Sequence, residues 1–383
     1  MTDKKPFFKR KIPLIELSQK SSLFLLGPRA CGKSTLLKSL FKNALYFDLL
    51  DSDIFGRFLR RPRQLEEEIP NKTPLVIIDE IQKLPQLLDS VHRMIENNKT
   101  RFILTGSSAR KLKMSGVNLL AGRAWDLRMH PLSWSEIPDF SLKQYINRGG
   151  LPKIYSSEDF EEELKSYTQF YISEEIKAES IVRKLDSFTR FLDTMSLQNG
   201  MEIQFQSISS DSGVPVRTVE SYLKILEDTL LCFFLLPFEK TTIRKAITRS
   251  KFYFFDVGIA RSLAMLSDVR EGSGPFGQLF EHFIIQELRS YVSYHRLNKT
   301  LKYWRSKSQH EVDVVIAPDL AIEIKSTQNV NSKDLRNLKA LREEGLIKRY
   351  LLISRDPIQR EIDNIELWPW EDFLKRLWVG DFL

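Results

Sequence analysis

"LFLLGPRACGKSTLL", residues 23–37, decides how the first part of this chain folds. Leu23 to Leu26 make a short apolar strand, Thr35 to Leu40 reads as a helix, and between them stands Gly27-x-x-x-x-Gly32-Lys33-Ser34. That order suits a phosphate. Glycines let the backbone curl so that successive N–H groups turn inward, and the helix that follows adds its positive end. The pattern assigns Gly27, Pro28, Arg29, Ala30, Cys31, Gly32, Lys33, Ser34 and Thr35 to nucleotide binding. Within it, Lys33 reaches the β- and γ-phosphates of ATP and the Ser34 hydroxyl ligates Mg2+. Cys31 reads as packing.

Two further strands agree with that reading. "PLVIIDE" (74–80) is a continuous apolar run ending in two carboxylates, as buried parallel strands do. Asp79 would hold Mg2+ through water and Glu80 would polarise the attacking water; the plainer alternative is that the pair caps the next helix. "RFILTGSS" (101–108) places Thr105 to sense the γ-phosphate, a task Ser107 would also suit. Beyond it, "LLAGRAWDLRMHPLSWSE" (119–136) offers Arg123 and Arg128, and an arginine stabilises phosphoryl-transfer charge in cis or across a subunit boundary. Arg123 is the catalytic candidate, and its trans version expects a homo-oligomer.

These residues resemble the prokaryotic AAA-family ATPases. That family opens with a GPRxxGK(S/T) loop and continues with a DE strand end, a TGSS segment and an AGR element. Here they read Gly27-Pro28-Arg29 to Ser34, Asp79-Glu80-Ile81-Gln82, Thr105-Gly106-Ser107-Ser108 and Ala121-Gly122-Arg123. The match spans roughly the first 150 residues.

Residues 160–240 read as helical. In "SISSDSGVPVRTVESYLKILEDTLLCFFLLPF" (207–238), a short helix meets a turn at Gly213. A second helix then aligns Val219, Tyr222, Leu223 and Leu226 on one face, and an apolar strand follows. That is the rhythm of a winged helix-turn-helix. Val216, Arg217, Thr218, Glu220 and Ser221 face outward at the start of the second helix. One Arg and one Glu are a poor endowment for phosphate contact, which favours a domain adapter over a DNA reader.

"HEVDVVIAPDLAIEIKST" (310–327) alternates as a hairpin turned at Pro318-Asp319. Val312, Val314 and Ile316 share one face of its first strand, and Ile322 and Ile324 one face of its second. The other faces gather Glu311 and Asp313, then Glu323 and Lys325. Upstream, Phe280, Ile284 and Leu288 form one stripe of a helix, with Glu281 and Glu287 off it. The order of helix with Glu281, strand, strand with Asp313 and strand with Glu323-x-Lys325 resembles the PD-(D/E)XK nuclease fold. The resemblance implies Mg2+ or Mn2+ on Asp313, Glu323 and Glu281, with Lys325 orienting or deprotonating water. It also implies an apolar face turned inward and a hydrolytic face turned outward. The alternative is a salt-bridged solvent face. "FYFFDVG", "GQLFE" and "YWRS" further resemble the domain of unknown function that accompanies this ATPase type, over roughly residues 165–330.

The whole chain bounds these readings. Its 383 residues are 42% hydrophobic and 11% aromatic, which is ordinary for a globular chain with several cores. The longest apolar run, around Leu230 to Pro237, is far short of a membrane span. The N-terminus lacks the apolar segment of a signal peptide, and two cysteines make no disulfide framework, so the expectation is a cytoplasmic protein without membrane partners. A net charge of +8 is concentrated in Lys4 to Lys11, Arg57 to Arg63 and Lys240 to Lys251, and points to a polyanion such as DNA. The expected fold class is α/β. It comprises an AAA-like P-loop ATPase domain (1–155), a helical winged-helix middle domain (156–245) and a nuclease-like α/β domain (246–383). Three functions follow: an ATP-regulated, metal-dependent nuclease acting on DNA; an ATP-driven switch that binds protein or nucleic acid without cutting; or a DNA-binding regulator.

Overall fold

The computed structural model describes residues 7–108, 120, 122–171 and 185–383. Lys4, Lys5 and Ala121 lie outside them, as do residues 172–184 of the helical middle stretch. The chain divides into two compact units, one of residues 9–131 with 224–231, the other of residues 132–223 and 232–383 with the first residues.

In the first unit, β1 (Ser22–Leu26), β2 (Leu45–Asp48), β3 (Leu75–Asp79), β4 (Arg101–Gly106) and β5 (Ala124–Arg128) form one sheet in the order β2-β3-β4-β1-β5. Every neighbouring pair is parallel. A parallel sheet needs cover on both faces, hence the unbroken apolar runs. Val76, Ile77, Ile78, Phe102, Ile103 and Leu104 are all fully buried. The order sets β4 between β1 and β3, so the C-terminal ends of the loop strand, the carboxylate strand and the Thr105 strand lie side by side.

The second unit holds a nine-stranded mixed sheet. Its strands are β6 (Met201–Glu202), β7 (Cys232–Pro237), β8 (Lys251–Phe254), β9 (Lys302–Arg305), β10 (Glu311–Ile316), β11 (Leu320–Lys325), β12 (Arg349–Ser354), β13 (Arg360–Ile362) and β14 (Ile365–Pro369). They lie in the order β13-β14-β12-β11-β10-β9-β7-β8-β6. The helices Phe205–Ser212 and Val216–Asp228 flank Gly213, and Val219, Tyr222, Leu223 and Leu226 are buried as their spacing predicts. Strand β7 then pairs antiparallel with β8 and parallel with β9. A boundary at 245/246 therefore falls inside a hairpin whose two strands share one sheet with the carboxylate hairpin.

That hairpin is antiparallel, with Val314 opposite Ile322 and Ile316 opposite Leu320. Continuing the register by one step sets Asp313 opposite Glu323. Helix Gly274–Tyr294 packs on β11, and both faces of the hairpin are buried. Asp313 is 6% and Glu323 1% exposed. The expected outward hydrolytic face is thus covered, because the alternation separates two buried faces rather than core from solvent.

The same helix buries Glu287, which its apolar stripe had left outside. Its Oε1 accepts from the Trp134 amide at 2.7 Å and its Oε2 from Trp378 Nε1 at 2.9 Å. Burial pushes this carboxyl up to about 8 against those two hydrogen bonds, and the Glu136 charge adds to the rise. The folded state therefore holds a proton that the unfolded chain releases near the ordinary value of 4.5. Stability from this group is complete below that pH and is lost as pH rises to about 8. Urea unfolding should show the wild type losing up to about 5 kcal/mol across this window. Glu287→Gln sets an amide donor against Trp378, so it should be less stable at low pH but flatter with pH. Equal slopes for the two proteins contradict the assignment.

Candidate functional site

The loop after β1 is built as a cradle. Gly32 adopts φ 97°, a left-handed conformation that costs glycine little. A Cβ on Gly27 would stand 2.5 Å from the Met129 carbonyl oxygen, so only glycine fits there. Arg10 pins the outer side, donating from Nη1 to the Cys31 carbonyl at 2.7 Å and from Nη2 to the His130 carbonyl at 2.6 Å. This guanidinium is therefore turned to backbone rather than reserved for a polyanion. Cys31 itself is fully buried.

Inside the loop, Lys33 is 5% exposed and donates from Nζ to the Gly27 carbonyl at 2.6 Å and the Pro28 carbonyl at 3.0 Å. The Ala30, Cys31, Gly32 and Lys33 amides donate to no backbone carbonyl among the described residues. A buried ammonium and a run of free amides around one hollow suit the phosphates of a nucleotide.

Asp79 ends β3 and is 1% exposed. Its Oδ1 accepts from the Thr105 hydroxyl and its Oδ2 from the Tyr46 hydroxyl. Burial and the Asp79 hydrogen bond raise Tyr46, which stays a donor. Tyr46 also lies within hydrogen-bonding reach of Ser34, so the two expected Mg2+ ligands share a neighbour. Sequence reasoning missed Tyr46, since a tyrosine one position into an apolar strand reads as core.

Glu80 takes φ 61°, which costs a side-chain-bearing residue about 1–2 kcal/mol. Its amide donates to Thr105 Oγ1 at 3.2 Å, and its carboxylate accepts from Gln82 Nε2 and, at 3.4 Å, from the Ser107 hydroxyl. The Thr105 hydroxyl, expected on the γ-phosphate, is thus spent on orienting Asp79 and the Glu80 backbone. Ser107 stands beside Glu80 instead.

Arg123 lies elsewhere. Ala124 pairs with Ser22 and Arg128 with Leu26, so Arg123 sits at the opposite end of the sheet from the loop. Five strand residues at about 3.3 Å each put it roughly 16 Å away. Its guanidinium meets Glu96. The expected cis role is out of its reach, whereas Arg128 is exposed on the loop side.

In the second unit the structure brings the expected hairpin residues together and adds Asn337, Tyr253 and Lys251. Asp313 Oδ2 accepts from the Ile324 amide at 2.7 Å. Glu323 Oε1 meets Lys325 Nζ at 2.7 Å and Asn337 Nδ2 at 3.1 Å, while its buried Oε2 has no partner. Burial, then the charges of Glu323 and Glu281, push Asp313 well above the usual carboxylate range. Burial likewise raises Glu323.

Glu281 departs from expectation. Its Oε1 accepts from Tyr253 at 2.7 Å and lies 3.3 Å from Lys251 Nζ, whose ammonium also meets Glu311 Oε1 at 2.5 Å. Burial alone would lower Lys251, but Glu281, Tyr253 and Glu311 together hold it well above its ordinary value. No group of three His, Cys, Asp or Glu side chains among the described residues is placed to hold a metal ion. Glu281 is paired with Lys251 rather than standing free beside Asp313 and Glu323. Asp313 and Glu323 remain as oxygen donors of the kind hard cations take, the buried Glu323 Oε2 among them without a partner. Lys251 went unrecognised because it sits in a basic run, "RKAITRSK", that reads as surface.

Residues 19–138 match the AAA domain family, so the first unit is an AAA-type P-loop domain. Residues 139–270 and 276–373 match two families described as domains of unknown function, DUF8612 and DUF4143. An uncharacterised protein of Haemophilus influenzae is 23% identical, over 89% of this chain and 91% of its own. Among solved structures, the Aeropyrum pernix ORC1 protein in complex with DNA aligns over 69% of this chain and 95% of its own, at 11% identity and a TM-score of 0.32. A signal-transduction ATPase with a tetratricopeptide repeat sensor from Pyrococcus horikoshii aligns over 76% of this chain and 48% of its own, at 16% identity and a TM-score of 0.29. No helix among the described residues is long and apolar enough to cross a membrane.

Lys251→Met tests the lysine-centred cluster. It leaves Glu281 and Glu311 facing each other around a neutral side chain. Unfolding free energy from urea titration should fall by roughly 2–4 kcal/mol, the lower end reflecting the partial exposure of both carboxylates. A change within error means Lys251 does not hold them.

Proposed function

We propose that this chain is an ATP hydrolase whose nucleotide cycle drives a switch that engages nucleic acid. The observation that carries the reading is the convergence of Lys33, Asp79, Thr105 and Glu80 at one edge of the parallel sheet. Mg2+ bound with ATP supplies charge neutralisation between the phosphates. Ser34 and Asp79 would hold that ion, Asp79 kept in place by the Tyr46 and Thr105 hydroxyls. Lys33 would exchange its two carbonyl partners for phosphate oxygens, since a charge-assisted bond to phosphate is the stronger. Glu80 would orient and deprotonate the attacking water, its strained backbone fixing where the carboxylate points. Arg123, at the far end of its own sheet, would serve the site of a second copy.

The nucleic-acid part rests on the net charge of +8 and its clustering. Cutting of DNA is a second reading, favoured by the unclaimed Glu323 oxygen beside Asp313 and by Lys325 at its edge. These three would form the working set, without Glu281.

Lys33→Ala should abolish nucleotide binding, and Glu80→Gln should bind ATP with turnover reduced at least about 100-fold. Mixing Arg123→Ala with Lys33→Ala should restore part of the lost activity if the arginine acts in trans; no restoration at any concentration discards that role. Phosphate release reports all three. For the second reading, labelled DNA with Mn2+ should be cut by wild type and not by Asp313→Ala or Lys325→Ala, while ATP turnover persists. Absence of cutting by wild type leaves the switch without a nuclease.

A further inference from the structure

The run "GRFLRRPRQLEEE" (56–68) is basic and then acidic, and the first unit folds its basic part around a hollow. A cavity of about 480 Å3 is lined by Arg60, Arg61, Arg63 and Arg93, together with Ser90 and Asp89. The arginines come from three places: the end of helix Ser52–Arg60, the connection that follows it, and the second turn of helix Leu87–Asn98.

The acidic run alongside does not cancel them all. Glu66 Oε1 meets Arg93 Nη2 at 2.7 Å, Glu67 meets Arg61 at 2.7 Å, and Glu68 lies 3.5 Å from Arg57. These pairs fix Arg93 and Arg61 in place, and Ser90 adds a 3.0 Å contact to Arg93. Arg60 and Arg63 are exposed and make no ion pair among the described residues, although Arg63 lies in the field of Glu66. Asp89 is the one carboxylate on the wall itself. The Leu87 and Leu88 amides at the start of helix Leu87–Asn98 already donate to the Leu84 and Pro85 carbonyls, so the arginine side chains supply the charged donors here.

We propose that this arginine-lined hollow binds the phosphate backbone of nucleic acid. Guanidinium groups match phosphate oxygens two at a time, and two of the four are already held in position by carboxylates. No aromatic ring lines the cavity, so nothing there stacks a base, and the contact is independent of sequence. A free nucleotide would need such a base pocket; a backbone does not. Residues 80–86 join Asp79's strand to the helix that carries Arg93, so backbone contact lies one short connection from the nucleotide carboxylates.

The inference rests on nucleic acid being the partner proposed above. Its test therefore omits nucleotide, so that a failure of ATP hydrolysis cannot be mistaken for its own. Fluorescence anisotropy of labelled single-stranded and duplex DNA against the full chain, across a salt series, is the measurement. R60E/R63E should bind at least about tenfold more weakly than wild type, with the slope of log affinity against log salt reduced by about two. Both side chains are exposed, so the melting temperature should be unchanged; R60Q/R63Q, with a smaller loss in the same direction, guards against misfolding. Equal affinity and slope for wild type and both variants overturn the hollow as the contact while leaving nucleic acid as partner. No DNA binding by wild type overturns both.

Discussion

A buried carboxylate at the end of a parallel strand is the constraint on which the first unit depends. Asp79 is cut off from water, and an ionised carboxylate there must be satisfied by donors that the fold brings to it. Tyr46 comes from β2 and Thr105 from β4, the two strands flanking β3. Hydrogen bonds to a charged group are worth about 1.5–3 kcal/mol each, and losing one inside the sheet costs more than it would at the surface. The strand order thus serves chemistry and stability together: it sets the donors on either side of the acid and the Lys33 loop one strand further on. Glu80 is strained immediately after, at a point where Thr105 holds its amide.

How much of this was legible in the sequence depended on whether the signal was local. Gly27, Gly32, Lys33 and Ser34 carry a spacing whose meaning is set by backbone geometry within one turn, and the structure builds the loop that spacing describes. Asp79 and Glu80 were legible as the end of a buried strand, since an unbroken apolar run precedes them. Tyr46 was not, because its role appears only when β2 pairs with β3. Thr105 was placed correctly at a strand end, but its hydroxyl direction depends on where Asp79 lies. Arg123 shows the same limit: its sequence neighbourhood matched a motif, whereas the parallel register with Ser22 puts it at the far end of the sheet.

In the second unit, period-two alternation located the hairpin and set Asp313 and Glu323 on one side of it. Alternation separates two faces without saying which is wet, and here neither is. Glu287 and Lys251 failed to register for a related reason, since a charged residue off an apolar stripe is ordinarily solvated. Burial of these groups is met locally: two donors on Glu287, two carboxylates around Lys251, and Lys325 with Asn337 on Glu323. Within this network the buried Glu323 Oε2 has no hydrogen-bond partner.

The central claim is that Asp79, held by Tyr46 and Thr105, is the metal-side anchor of an ATP site. Titration of a fluorescent ATP analogue into wild type and Asp79→Asn, each with Mg2+ and with excess chelator, tests it most directly. The asparagine keeps the size and an acceptor oxygen but loses the charge. Wild type should bind more tightly with Mg2+ than without, and Asp79→Asn, left with Ser34 alone, should lose most of that difference. An Asp79→Asn protein that retains the wild-type dependence on Mg2+, or a wild type that shows none, contradicts the account.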